Sequence, residues 1–571
     1  MSLGTRRWVS RSVAVLVALS GVMAVTRVTA ISATAPPAPS MVAVPDGACG
    51  PGSLPETNQG RVSAQDVADG RATQGYSCNM AVISHFGTTG GYRTYRYVDK
   101  NGHVCAFFDT TLLFPTNAVE GSTHKTGVFV LDMTDEAHPV LTADLQTPAM
   151  QSPHESLSLN LRRGLLAADL GNPYAYPAFV DIYDVSQDCR HPVLDSSLPV
   201  GVLGHEGTFS PDGNTFWVSA GGGSSLAAVD VSNPTVPRVL WVERGLVSHG
   251  LRVSDDGNTL YIGDMGESSA PVAGINGYSG SVSQPPGLTI LDVSQIQKRV
   301  LNPTVSLVSH LTWSVVSIPQ APLPVRIDNH PYLVEVDEFA TTTGASIPEE
   351  GASLSPSAAT DAHPGAVRVI DIADPVHPQI ISNIRLAVNN QPYRTQFQND
   401  PGASSSLQGY AAHYCAVPQE DDPGIVACSF ILSGLRVFDI RDPYHPREIA
   451  YFNAPVHPGT GGAAGSNYAM SAPAFDSQTG QIWYTDGNDG FYALQVTNAV
   501  WPFDATSTGA PTAEAVNPGA TQSPGAATTA KGGVLAATGS SPWPATGGAV
   551  LLAGSLLIAR RRRRIASQTG P

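Results

Sequence analysis

An all-β fold assembled from repeated units is what this sequence predicts, and three observations predict it. Short apolar runs rich in Val, Ile, Phe and Tyr are interrupted every few residues by Gly, Pro, Asn or Asp. The 571 residues include 56 Gly and 46 Pro but only 14% charged residues, which suits many short strands and turns and argues against a helical protein. One phrase also recurs along the chain, most plainly as Gly434-Leu435-Arg436-Val437-Phe438-Asp439-Ile440-Arg441-Asp442-Pro443-Tyr444-His445-Pro446.

In that phrase Leu435, Val437 and Ile440 form a short strand that Asp439 closes. The Asp-x-x-Asp-Pro-x-x-Pro that follows suits a turn. An Asp carboxylate can accept from amides two or three residues on, while Pro presets φ and cannot extend a ladder. Copies occur at Val128–Asp132, Val180–Asp184, Ala227–Asp230, Leu288–Asp292 and Val367–Asp371, with a degenerate seventh at Phe491–Val496. The Asp positions lie 46 to 79 residues apart, a period that fits one four-stranded blade with variable loops. The expected architecture is a seven-bladed β-propeller spanning residues 78–500, preceded by an arm (36–77). This repeated strand, roughly Leu-Val-Ile-Val-Asp followed by Asp-Pro and a second Pro, resembles the LVIVD-repeat family over about residues 78 to 498.

Taken in order, the first blade is expected to run from Cys78 through His85 and Tyr92–Val98 to Val104–Phe108, with the Asp132 copy as its outer strand. Blade two opens at Pro153-His154-Glu155. Blades three and four repeat one pattern, Gly204-His205-Glu206 before Asp212-Gly213-Asn214 and Ser248-His249-Gly250 before Asp256-Gly257-Asn258. An Asp-Gly-Asn hairpin between alternating strands needs φ > 0 at its Gly, and in both copies a His lies eight residues before it. Blade five offers His310, blade six His413, and blade seven has Ser471 in the corresponding place.

The two ends read as export and anchoring signals. Arg6, Arg7 and Arg11 precede the apolar run Val13 to Val25 and two small-x-small sites, so residues 1–35 are expected to be a signal peptide. Residues 501–533 are rich in Ala, Thr, Pro, Gly and Ser and cannot bury a core, which predicts a stalk. Then come Leu535-Ala536-Ala537-Thr538-Gly539, a second Pro544-Ala545-Thr546-Gly547-Gly548, a short apolar block, and Arg560 to Arg564. This order, over residues 534–571, resembles the C-terminal sorting signal of Gram-positive wall proteins. The resemblance implies a sortase-type transpeptidase as processing partner, Thr538 as acyl donor, and a membrane segment with its Arg run inside. The apolar block of 11 residues is short for a bilayer span of about 20, so a plain tail anchor is the alternative.

The net charge is −16, and removing the four Arg of the N-terminal segment and the five of the C-terminal run would leave about −25. Such a body would repel phosphate backbones, so nucleic acid is not an expected partner. Six cysteines, an even number, agree with an oxidising compartment. The expected pairs are Cys78 with Cys105, Cys415 with Cys428, and Cys49 with Cys189, among the fifteen pairings that six cysteines allow.

His85, His154, His205, His249, His310 and His413 are read as one equivalent place in six successive blades, at the channel end of the innermost strand. A ring of neutral imidazoles there could hold a transition metal, with Glu155, Glu206 or the group Glu335, Asp337 and Glu338 adding carboxylates or a general base. This loosely resembles propeller enzymes that hold metal on the axis, including the selenium-binding/methanethiol oxidase relatives, without their longer signatures. Against it stands a structural role, each His bonding a carbonyl of the neighbouring blade. The repeated Asp residues read as turn caps, with calcium binding the alternative. No nucleophile elbow, P-loop, dinucleotide fingerprint or His-Glu-x-x-His pair is present. Two functions follow: a surface-displayed scaffold binding an extracellular protein, glycan or small ligand, or an extracytoplasmic metal-dependent oxidase or hydrolase.

Overall fold

The structure is a computed structural model that describes residues 39–503 apart from 111–126, 171–177, 203, 221–224, 269–271, 273, 279–285, 314–317, 339–364, 405–408 and 457–466. The signal peptide, most of the stalk and both sorting motifs lie outside the described residues. Among the described residues no helix is long and apolar enough to cross a membrane.

The strands gather into seven antiparallel blades, the seven-bladed propeller expected. Blade one is Thr94–Val98, Val104–Asp109, Val128–Asp132 and Val140–Leu145. Blade two is Ser158–Asn160, Leu165–Asp169, Val180–Asp184 and Val193–Leu198. Blade three is Glu206–Phe209, Thr215–Ser219, Ser225–Asp230 and Arg238–Arg244. Blade four is Leu246–Val253, Thr259–Ser268, Gly287–Asp292 and Val305–Thr312. Blade five is Ile318–Pro319, His330–Glu338, Val367–Asp371 and Gln379–Ile384, and blade six is Ala412–Ala416, Ile425–Phe430, Gly434–Asp439 and Arg447–Asn453.

Blade seven takes three strands from the C-terminal end, Ala474–Asp476, Gln481–Asp486 and Gly490–Val496. Its fourth comes from the N-terminal side, Met80–Phe86, which pairs with Gly490–Val496 and closes the ring. Tyr76–Cys78 adds a fifth strand to blade six. Blade one therefore begins at Thr94 and not at Cys78. The recurring phrase is the third strand of each blade, not the outermost: in blades one to six a following strand pairs back onto it, and in blade seven Met80–Phe86 does.

The third strands are apolar on both faces because each blade is packed between two others. Leu435 and Val437 pack with Ile482 and Leu494 of blade seven, while Phe438 packs with Val334 and Val369 of blade five. Burying each such side chain contributes about 1.5–3 kcal/mol. The same register shift recurs between third and fourth strands, at Val130/Leu131, Ala228/Val229, Ile290/Leu291, Val369/Ile370 and Val437/Phe438. Such a bulge adds local twist to each blade. The Asp that ends each phrase caps the turn: Asp132, Asp184, Asp230, Asp292, Asp371 and Asp439 each accept the amide two residues on. Gly213 and Gly257 take φ of 70° and 74°, as the Asp-Gly-Asn hairpins require.

Neighbouring blades are also joined at their outer edges. Ser84, Ser196, Ser309 and Ser382, all on fourth strands, donate to the carbonyls of Glu136, Pro234, Pro375 and Pro443 in the turn of the next blade, each at 2.6 Å.

Three disulfides staple the fold, Cys49–Cys78, Cys105–Cys189 and Cys415–Cys428. The last is the expected hairpin pair, across Ala412–Ala416 and Ile425–Phe430. The other two expected pairs are wrong because they assumed that Cys78 lies in blade one. It lies on the edge of blade six, where Cys49 of the arm reaches it, and Cys105 in blade one is left for Cys189 in the turn of blade two.

Candidate metal centre on the propeller axis

Side chains from the inner ends of the blades meet at the centre of the ring. Tyr92 and Arg93 lead into blade one, His154 and Glu155 into blade two, and His205 into blade three. His249 lies on the first strand of blade four, Glu338 ends the second strand of blade five, and His413 and Tyr414 lie on the first strand of blade six. First and second strands are antiparallel, so the start of one and the end of the other share a rim.

The rings follow one another tilted or edge to face: centroids are 4.6 Å apart for Tyr92 and His154, 4.2 Å for His154 and His205, and 4.4 Å for His205 and His249. His154 has φ of 50°, a left-handed conformation uncommon for a non-Gly residue, and functional sites are where such strain concentrates. His205 Nε2 and His249 Nε2 are 2.9 Å apart. Glu155 Oε2 is 3.5 Å from His205 Nε2 and 3.7 Å from His249 Nδ1, which is buried and has no hydrogen-bond partner. His154, Glu155 and His205 each present a ligand atom, all within 4.8 Å of one another.

On the other side of Glu155, His413 Nε2 lies 3.1 Å from Glu155 Oε1 and 2.8 Å from Glu338 Oε2, while its Nδ1 faces the Met470 carbonyl at 2.6 Å. Glu155, Glu338 and His413 form a second set of three ligand atoms within 4.8 Å. Gln320, fully buried, holds its Nε2 3.1 Å from each of them.

Burial and charge sort these groups into two kinds. Burial drives His154 down to about 4 and His205 well below the usual imidazole range, so both present neutral rings, the form that ligates metal. Burial also opposes charge on His413, but Glu338 and Glu155 outweigh it and hold it up to about 10. Burial alone would raise Glu155, yet the His249 imidazole and the hydrogen bond from His413 keep it well below the usual carboxylate range.

A shell of buried polar groups fixes this cluster. Tyr414 donates its hydroxyl to Glu155 Oε2 at 2.7 Å. Arg93 donates to the Glu155 carbonyl at 3.0 Å and to the Tyr414 hydroxyl at 3.2 Å, and pairs with Glu206. Arg252 also meets Glu206 at 2.5 Å, and the Leu251 amide donates to it at 2.7 Å, so Glu206 is occupied as an anchor.

Two of the six expected imidazoles are elsewhere. His85 lies on Met80–Phe86, the outermost strand of blade seven, against Tyr492 and the Asp489 carbonyl. His310 lies on Val305–Thr312, the fourth strand of blade four, where Thr289 meets its Nδ1 at 2.7 Å and Asp264 is 3.6 Å away. His85 was expected on the inner strand of blade one and His310 on that of blade five, but Met80–Phe86 closes blade seven and Val305–Thr312 pairs back onto Gly287–Asp292 as the fourth strand of blade four. Glu335 and Asp337 pair with buried Arg368, at 3.1 and 2.5 Å, and take no part in the cluster. Gln320, Arg93, Tyr92 and Tyr414 were not anticipated. Tyr414 adjoins His413 in sequence, but the other three carry no local signal.

No family model matches the chain, and no curated protein matches it. Solved structures show likeness in fold. The hydrazine synthase of Kuenenia stuttgartiensis is 10% identical, with 72% of this chain and 96% of that one covered and a TM-score of 0.42. The Cps50 (Swd1) β-propeller domain of Myceliophteria thermophila is 10% identical over 73% and 99%, with a TM-score of 0.41. A putative 6-phosphogluconolactonase from Bacteroides fragilis is 12% identical over 65% and 90%, with a TM-score of 0.39. At these values the likenesses carry no argument about function; the chain is a seven-bladed β-propeller, a fold that hosts unrelated functions.

Proposed function

We propose that this protein is an exported, surface-displayed propeller that holds a transition metal ion on its axis through His154, His205, His249 and Glu155. The reading rests on one observation above all, the 2.9 Å approach of the two Nε2 atoms of His205 and His249 beside Glu155. Ligand atoms around an ion with bonds of about 2.0–2.1 Å lie about 3.0–3.4 Å apart, so this edge is close to that of a coordination polyhedron. Imidazole-rich donor sets suit iron, copper, nickel or zinc, and such an ion would supply Lewis acidity or redox chemistry for a metal-dependent oxidase or hydrolase. The three disulfides are consistent with an extracellular setting, where the sorting motif Leu535–Gly539 would attach the chain to the wall through Thr538.

The test is elemental analysis of purified protein after equilibration with Zn(II) and removal of excess metal. We expect at least one equivalent per chain, lost when His205 and His249 are both replaced by Ala. Folded wild-type protein that retains no metal would overturn the metal centre and leave the propeller as a display scaffold for an extracellular ligand.

A further inference from the structure

We propose that the axial site is dinuclear, with the Glu155 carboxylate bridging a second metal ion held by Glu338, His413 and Gln320. This rests on the metal reading above but on different atoms. Glu155 turns Oε2 toward His205 and His249 and Oε1 toward His413, so its two oxygens serve two separate sets of ligands.

The second set has the edges of a coordination shell. His413 Nε2 is 2.8 Å from Glu338 Oε2 and 3.1 Å from Glu155 Oε1, against the about 3.0–3.4 Å expected around an ion with bonds near 2.1 Å. The Met470 carbonyl can only accept, so His413 donates Nδ1–H to it, and this leaves Nε2 aimed at two carboxylate oxygens. In the metal-free protein a proton on Nε2 sits between these oxygens, and a bound metal ion would take its place. A metal-bound imidazole commonly shows the same arrangement, its far nitrogen donating to a backbone carbonyl.

Gln320 supplies the independent sign of a ligand. Its side chain is fully buried, its Nε2 is 3.1 Å from all three ligand atoms, and its Oε1 has no hydrogen-bond partner. A half-turn of the amide exchanges the two atoms, which are nearly indistinguishable in shape. The stranded oxygen then faces the ion position as a fourth ligand, and the nitrogen, whose two protons cannot serve three partners equally, leaves it.

The two sites differ in kind. Three imidazoles and a carboxylate make the first nitrogen-rich. One imidazole, two carboxylates and an amide oxygen make the second oxygen-rich, suited to manganese, iron or zinc. Two-metal sites hold ions about 3.5–4 Å apart and clamp the attacking and leaving oxygens of a displacement, chemistry suited to hydrolysis.

The experiment uses metal-stripped protein titrated with Zn(II), with bound metal counted after dialysis, and a parallel titration with Mn(II) followed by electron paramagnetic resonance. We expect two zinc equivalents per chain in the wild type and a spin-coupled manganese signal. Glu338→Gln, which preserves shape, and His413→Ala should each retain one equivalent and give an uncoupled signal. Circular dichroism and thermal melting check that each variant is folded; should His413→Ala fail to fold, Glu338→Gln and Gln320→Ala decide the matter. One equivalent in the wild type, lost with the His205 and His249 pair and unchanged in Glu338→Gln, would overturn the second ion and leave the first. One equivalent lost in both classes of variant would mean a single shared ion and overturn the dinuclear site. No equivalent at all would overturn both readings.

Discussion

Arg93 is where stability and the axial site are coupled most tightly, and replacing it is the most informative perturbation. Its side chain is 3% exposed and reaches three blades from a fourth: the Glu155 carbonyl in blade two, Glu206 in blade three and Tyr414 in blade six, whose ring it also covers at 4.0 Å. Breaking a buried ion pair by removing one partner costs about 3–5 kcal/mol, chiefly because the survivor is left uncompensated. Glu206 retains Arg252 and the Leu251 amide, so Arg93→Met falls at the lower end, about 3 kcal/mol. The same change frees Tyr414 and the Glu155 backbone, and loss of such supporting contacts typically weakens metal binding by about 10–100-fold. Urea unfolding read by tryptophan fluorescence measures the first effect and zinc competition the second. Arg93→Lys keeps the charge but not the planar fork, and should recover less than half of either loss. A stability loss under about 1 kcal/mol together with unchanged zinc affinity would refute the claim that Arg93 organises the axis.

Three further outcomes are expected. Burial pushes Asp486 up to about 7, only partly offset by the amides of Asn488 and Tyr468. Its folded value lies above the unfolded value of about 3.9, so its stabilising contribution is complete below about pH 4 and is lost as pH rises through 7. Asp486→Asn should therefore gain stability relative to wild type, by about 2.5 kcal/mol, between urea midpoints at pH 5 and pH 8; an unchanged difference would contradict the burial argument. Ser382→Ala removes the 2.6 Å bond to the Pro443 carbonyl between blades five and six and should cost about 1 kcal/mol, measured by urea unfolding. Paired replacement of Cys105 and Cys189 by Ser should lower stability by about 2–5 kcal/mol and, because the bridge joins blade one to blade two, make that boundary the first to be cleaved in limited proteolysis.

The repeated phrase carried most of the fold. Leu435 and Val437 on one face and Phe438 on the other identify a strand packed between two blades, and Asp439 marks where it turns. Each copy reports local chemistry, a short apolar strand buried on both faces and an Asx turn, which is why seven blades can be counted along the chain. His205 and His249 were legible for the same reason, since each stands at a fixed distance from its own Asp-Gly-Asn hairpin.

What the phrase cannot carry is which edge a strand completes. Met80–Phe86 reads as the opening of blade one, yet blade one already has its own four strands and blade seven has only three. Ring closure pairs it with Gly490–Val496, more than 400 residues away in sequence, and takes His85 off the axis and Cys78 away from Cys105. His310 is displaced likewise, onto the fourth strand of its own blade. The cluster itself depends on side chains that become neighbours only when blades from opposite parts of the chain converge, as Gln320, Glu155 and His413 do. Sequence settled the repeating unit because hydrogen bonding and burial within a hairpin are local. The closed ring decided the site because its ligands are brought together by contacts between blades, which no single copy encodes.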